Sequence, residues 1–407
     1  MTSPDTTAAE RRAAVLVDAF LAGDGEALRA AGDEAFAAAA KPQEFAELRA
    51  ALGPLRARGA LVIEACGDLV FVEARVYFAN GPCALRLALR GKAPAGFFVA
   101  PVEPPAEPWS PPSYVDPLRF TERETKLGPL PATLTLPNGR ALPPVCLFVH
   151  GSGPNDQDES IGLNKPFRDL AHGLATRGIA SFRYDKRTRV LPGDFAALSA
   201  PTVKDEVLDD VAAALRQLRL EEVVAASKIV VVGHSLGAML APRIAAESGD
   251  VSGLVMIAPA ARPLVDVTLS QFEYLEGLSP SGQLDRIRAD VVRVRAARPG
   301  DAGPPFLGAP LSWWADMNLC DPVAAARRLA TPMLILHGGR DYQVTDADFE
   351  LFRAGLSHRG NVRLSRFAEL NHLMMPGSGL SAPAEYRQPG HVDVGVVDAV
   401  AEFVLLL

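Results

Sequence analysis

Cysteine is scarce in this chain. The four residues in 407, Cys66, Cys83, Cys146 and Cys320, are too few for a disulfide framework, and no Cys-x-x-Cys pair suggests a metal. Cys66 and Cys83 could meet across a sheet, but buried free thiols are the simpler reading. Basic charge is also short: 41 Lys and Arg stand against 48 Asp and Glu, for a formal net charge of -7. No Lys/Arg stripe stands out, so nothing points to a nucleic-acid partner. No run of eighteen uninterrupted apolar residues is present, which argues against a membrane span. The opening MTSPDTTAAERRAAVLVDAFLAGDGEALRA lacks the basic segment, apolar run and small-residue cleavage site of a signal peptide. A soluble, cytoplasmic protein is therefore expected. What the chain does have is apolar mass, 48% hydrophobic residues over a length that allows two domains.

Residues 8–58 are Ala-rich and helical in period, with breaks at Gly23, Gly32, Gly53 and Pro54. From Leu61 apolar and polar residues alternate, with turns at Gly67, Asn80-Gly81 and Gly91, which predicts an antiparallel meander of three or four strands. Helices on one face of that sheet would make a small α+β domain over residues 1–100. Prolines crowd residues 101–118 and read as a stiff linker. From residue 119 to 407 strands and helices alternate. A hairpin, TERETKLG and LPATLTLP, leads into VCLFVHG, a helix over 167–177, IASFRYDKR, a helix over 203–220, KIVVVGHS, a helix over 238–247, GLVMIAP, PMLILHGG, NVRLSRF and a closing helix over 392–407. That order predicts a mostly parallel, doubly wound α/β sheet, which binds ligands at the carboxyl ends of its strands. The interruption at about 261–330 is polar, helical in period and carries Phe306, Trp313 and Trp314; it reads as a cap over the site.

The chemistry centres on residues 228–237, KIVVVGHSLG. Four β-branched residues in a row suit a buried parallel strand, and Gly233 and Gly237 flank Ser235 where a strand turning sharply into a helix leaves no room for side chains. Such a turn lifts the Ser235 hydroxyl out at the carboxyl end of the sheet. A serine needs a base to take its proton and an acid to orient that base. Of seven histidines, His372 alone stands in a loop after the last strand, from which imidazole can reach across; His391 is the second choice. Asp341 follows PMLILHGGR at a strand end and is the candidate acid, whereas Asp346 and Asp348 look like the start of the next helix. The oxyanion donors should be the N–H groups of Leu236, next to the nucleophile, and Ser152, in the glycine-rich HGSG loop. Trp313 and Trp314 are candidates for the substrate pocket.

The motifs HGSGPNDQDESIGLNKPFRDLAHGLATRGIASFRYDKRT, GHSLG, GGRDYQVT, LNHLMMPG and AEYRQPGHV resemble those of the bacterial α/β-hydrolase carboxylesterases grouped near the serine aminopeptidases and dienelactone hydrolases. The likeness covers residues 120–407. It implies an α/β-hydrolase fold, with Ser235 as nucleophile, Asp341 as acid, His372 as base and Ser152 with Leu236 as oxyanion donors, in agreement with the choice made from the residues. The first hundred residues resemble a small domain of unknown function that precedes some of these hydrolases. Where many such relatives read YDKRG this chain has Thr188, and Asp185 and Arg187 are expected as structural ion-pair partners. The implied reaction is hydrolysis of carboxylic esters, short-chain acyl esters in particular, through an acyl-enzyme and with no metal or organic cofactor. A peptidase or acyltransferase would use the same triad, and a non-catalytic ligand sensor could keep the fold.

Overall fold

The structure is a computed structural model and describes residues 6–31, 36–37, 41–66, 69–90, 93–101, 109–249, 251–280, 282–301 and 303–407. The break expected at Gly32, the turns at Gly67 and Gly91 and residues 102–108 of the linker lie outside the described residues. The chain divides into two compact units, Met1–Glu107 and Pro108–Leu407.

In the first unit, helices α1 (Thr6–Ala22), α2 (Gly25–Ala30) and α3 (Pro42–Ala51) accompany strands β1 (Leu55–Cys66), β2 (Leu69–Phe78), β3 (Gly81–Arg90) and β4 (Ala93–Pro101). The strands pair antiparallel in the order β1-β2-β3-β4. Val70, Val72, Ala74 and Val76 of β2 alternate inward against Ala13, Leu16, Val17 and Phe20 of α1, while Phe71 and Tyr77 face out. Strand β1 begins at Leu55, earlier than expected. Its first residues are exposed and its register slips between Arg58 and Leu61, so they carry none of the alternation that marks a half-buried strand. Cys66 and Cys83 are not cross-strand neighbours, because β2 separates their strands; Cys83 is a buried free thiol.

The second unit is built on an eight-stranded sheet. Its hairpin of β5 (Phe120–Leu127) and β6 (Leu130–Pro137) is followed by β7 (Val145–Val149), α4 (Pro166–Thr176), β8 (Ala180–Tyr184), the short helices α5 (Arg187–Val190) and α6 (Pro192–Ala196), and α7 (Asp209–Arg219). Then come β9 (Ile229–His234), α8 (Leu236–Ser248), β10 (Gly253–Ile257), β11 (Met333–Gly338), α13 (Asp346–Leu356), β12 (Val362–Phe367) and α14 (Val394–Leu406). The order across the sheet is β12-β11-β10-β9-β7-β8-β6-β5. All neighbours from β12 to β8 run parallel, and β6 and β5 close one edge antiparallel.

Both faces of this sheet are covered, so its central strands are apolar throughout. In β9, Val230 and Val232 pack with Phe167 and Leu170 of α4 and Val396 and Val400 of α14. Ile229 and Val231 face the other way, into a core with Val211 of α7 and Leu240 of α8. Each such side chain contributes about 1.5–3 kcal/mol on burial.

Between β10 and β11 the described residues make four helices, α9 (Leu264–Leu278), α10 (Leu284–Ala296), α11 (Leu311–Met317) and α12 (Pro322–Arg327). The borders of this excursion are clamped from outside it. Asp348 Oδ1 accepts the N–H groups of Ala261 (3.0 Å) and Arg262 (2.9 Å), and Asn361 Nδ2 donates to the carbonyls of Ala330 (2.9 Å) and Thr331 (3.1 Å). Asp348 is thus an anchor as well as a first-turn residue of α13, whose N-cap is Thr345.

Residues 109–118, read as linker, lie against the second unit. The Trp109 indole N–H donates to Asp169 Oδ1 at 2.9 Å and the Tyr114 hydroxyl to the Val392 carbonyl at 2.8 Å. Among the described residues no helix is long and apolar enough to cross a membrane.

Candidate active site

Ser235 lies between the end of β9 and the start of α8 with φ 51° and ψ -114°, a backbone conformation that costs a non-glycine residue of order 1–3 kcal/mol. Two glycines make the turn possible. A Cβ on Gly233 would lie 2.4 Å from the Gly237 carbonyl carbon, and one on Gly237 would lie 2.1 Å from the Val149 oxygen. The turn is also hydrogen-bonded: Ser235 N–H donates to the Ile257 carbonyl at 2.9 Å, and Met239 N–H to the Ser235 carbonyl at 2.9 Å. Leu236 opens α8, so its N–H has no acceptor within the helix.

Asp341 and His372 come from the loops after β11 and β12, on the same side of the sheet. His372 Nδ1 stands 2.6 Å from Asp341 Oδ2, and both residues are buried. The other carboxylate oxygen of Asp341 accepts the N–H groups of Gln343 (2.8 Å) and Val344 (2.9 Å), which fixes the carboxylate in the turn. With Nδ1 engaged, Nε2 is the ring nitrogen that the carboxylate does not hold.

The loop after β7, His150-Gly151-Ser152-Gly153, passes beside the serine. A Cβ on Gly151 would lie 3.2 Å from Ser235 Cβ and 3.1 Å from Glu159 Oε1. Glu159, at φ 52° and buried, accepts Gly151 N–H at 2.6 Å and stands 2.9 Å from His234 Nδ1 through its other oxygen. His234 Nε2 in turn is 3.0 Å from the His372 carbonyl oxygen. Burial opposes the charged form of His234, but the Glu159 carboxylate overrides it and holds the imidazole above its ordinary pKa. Burial likewise opposes the Glu159 carboxylate, and His234 outweighs it, so Glu159 titrates below its usual range. This pair joins the loop after β7 to the loop carrying His372. Sequence reasoning did not single out Glu159; its position inside the HGSGPNDQDES motif was the available signal.

Ser235, His372, Ser152 and Leu236 line one cavity of about 610 Å³. Trp313 and Trp314 form part of its wall, their indole N–H groups turned to Glu206 Oε2 (2.6 Å) and the Phe306 carbonyl (3.0 Å). Phe306, grouped with them as a cap residue, is not in the wall; it packs behind Trp314 at a ring separation of 5.3 Å. Leu264, Val267 and Phe272 of α9 complete the apolar side. Three other histidines face elsewhere: His391 lies 3.2 Å from Asp169, His172 3.0 Å from Glu122 and His337 3.1 Å from Asp346. Arg187 pairs with Asp210, whereas Asp185 accepts the Gln157 N–H at 2.8 Å and makes no ion pair among the described residues.

A parallel sheet covered on both faces, closed by an antiparallel edge and interrupted by a helical excursion over the carboxyl ends of its strands, defines the α/β-hydrolase class. Residues 146–388 match the alpha/beta hydrolase family, and the chain belongs to that family, as its motifs led one to expect. Esterase EstD of Thermotoga maritima is 43% identical over 295 residues, covering 72% of this chain and 70% of that protein. Among solved structures, Est1E of Butyrivibrio proteoclasticus with ferulic acid bound superposes with a TM-score of 0.46 at 17% identity, over 70% of this chain and 98% of that one. A hyperthermophilic esterase from the archaeon Pyrobaculum calidifontis gives 0.46 at 19% identity, over 71% and 86%.

Proposed function

We propose that the protein is a serine carboxylesterase acting through a covalent acyl-enzyme. The observation that carries this reading is the buried Asp341–His372 pair at 2.6 Å, whose His372 lines the same cavity as the strained Ser235. Ser235 Oγ attacks the ester carbonyl carbon as His372 takes its proton. The N–H groups of Ser152 and Leu236 stabilise the tetrahedral oxyanion. His372 then returns the proton to the departing alcohol, and water repeats the sequence to release the acid and free Ser235. No metal or organic cofactor enters these steps. The identity to EstD supports the ester as substrate.

The cavity falls within the range that holds a whole small-molecule ligand. Its wall at Trp313 and Trp314 is hydrogen-bonded in place, which favours short acyl chains over long ones. A cytoplasmic location and the absence of nucleic-acid partners belong with this reading.

Two measurements test it. A fluorophosphonate should phosphonylate Ser235, adding its mass less the HF released, and leave Ser235→Ala unlabelled, and that variant should lose at least about 10³-fold in kcat. Equal labelling of both proteins would remove Ser235 from the mechanism, and no labelling of either would favour a ligand sensor. Across p-nitrophenyl esters, kcat/KM should be higher for acetate through hexanoate than for palmitate or an amino-acid p-nitroanilide. Efficient anilide cleavage would instead favour a peptidase, and transfer to an added alcohol in preference to water an acyltransferase.

A further inference from the structure

Lys186 is 2% exposed, and a buried ammonium is costly unless its hydrogen-bonding capacity is met. Its Nζ lies 2.6 Å from Glu206 Oε1 and donates to the Gly151 carbonyl at 3.0 Å. Glu206 is itself buried, receives the Trp313 indole N–H on its other oxygen, and stands in a π-helical turn, Lys204–Leu208. Such turns are rare and are frequently found at functional sites.

The Gly151 carbonyl and the Ser152 N–H belong to one peptide unit. Because that unit is planar, a donor that fixes the oxygen also fixes the direction of the N–H. A cation on the oxygen draws electron density away from the nitrogen and makes the N–H a stronger donor. Glu159 holds the preceding peptide by its N–H, so charged side chains secure Gly151 on both sides. Asn155 Nδ2 adds weaker contacts to the Gly151 and Ser152 carbonyls at 3.2 and 3.1 Å. Gly151, Ser152, Glu206 and Trp313 line the cavity and Lys186 does not; the ammonium therefore acts through the peptide.

We infer that Lys186 is a positioning residue: held by Glu206, it orients and polarises the Ser152 N–H that receives the oxyanion. This deepens the esterase reading and rests on it. Glu206 offsets the charge, so the peptide gains donor strength without placing a net cation beside a neutral ester. Trp313 has a second part here, as the group that anchors Glu206 from the cap side.

The test compares Lys186→Met with the double variant Lys186→Met/Glu206→Leu, each measured for kcat, KM, thermal unfolding and the inhibition constant of a trifluoromethyl ketone, whose adduct with serine carries an oxyanion. Removing a whole oxyanion donor costs about 10²–10³ in kcat, so weakening one should cost about tenfold. The expected result is that loss in Lys186→Met, with KM changed less than about twofold and trifluoromethyl ketone affinity falling in step with kcat. The double variant, free of an unpaired buried carboxylate, should regain thermal stability while kcat stays low; it decides the matter if the single variant does not fold. Wild-type kcat in either variant, or recovery of kcat along with stability in the double, overturns the inference and leaves the pair a structural one. Failure of wild-type protein to be labelled at Ser235 is a separate result and would strike the esterase reading itself.

Discussion

At the scale of single residues, His150 has a consequence for acid stability. Its ring is buried against Phe167 and Tyr184, at ring separations of 5.2 and 5.3 Å, and burial pushes its pKa down to about 4. An unfolded histidine takes up a proton near pH 6.5. As pH falls through the window from about 6.5 to 4, the unfolded chain therefore gains a proton that the folded chain refuses, and stability drops; below about 4 both states are protonated and the loss levels off. The full effect is roughly 3 kcal/mol. His234 works in the opposite direction, because Glu159 raises its pKa in the folded state, so only a difference measurement isolates His150. Urea unfolding of wild type and His150→Gln at a series of pH values should show the variant losing less stability than wild type between pH 7 and 4. A constant difference over that range would mean that His150 is not held neutral.

At the scale of elements, the β9–α8 turn is the closest approach in the site. Gly237 faces the backbone at the end of β7 and just beyond it, with the Val149 and His150 oxygens 2.1 and 2.7 Å from where a Cβ would stand. Neither oxygen can withdraw without moving a central strand. Gly237→Ala should cost about 3 kcal/mol or more, whereas Ser235→Ala, whose side chain faces the cavity, should unfold close to wild type; thermal unfolding of the two separates these outcomes. This turn was legible from residues 228–237, since four β-branched residues, the two glycines and the following helix all point to one arrangement. Asp341 and His372 were legible for a similar reason, because each follows a strand whose pattern is plain. The work of Lys186 and Glu159 was not. What they do depends on which carbonyl or N–H they meet 35 and 8 residues away, and no periodicity records such a meeting. Trp109 was hidden in the same way: its prolines spell linker, while its indole finds Asp169 60 residues further on.

At the scale of the whole molecule, the unit Pro108–Leu407 contains every residue of the proposed site. Residues 108–407 expressed alone should fold and retain esterase activity, since they keep the Trp109 and Tyr114 anchors. Cutting further, to residue 119, removes both and should lower Tm by a few degrees, the scale set by two lost hydrogen bonds of about 1 kcal/mol each and the burial that goes with them. An insoluble or inactive 108–407 fragment, beside well-behaved full-length protein, would show that the front unit is needed by the hydrolase. The clamps at the borders of the four-helix excursion bear on how such a protein can diversify. Asp348 and Asn361 hold Ala261, Arg262, Ala330 and Thr331 from outside the excursion, and β10 pairs directly with β11, Leu254 opposite Met333. The register of β10 on β11 is thus fixed at the base of the excursion. Length and sequence within the excursion can therefore vary from one lineage to another, and so trade one diet of esters for another, wherever the contact of Trp313 with Glu206 is kept.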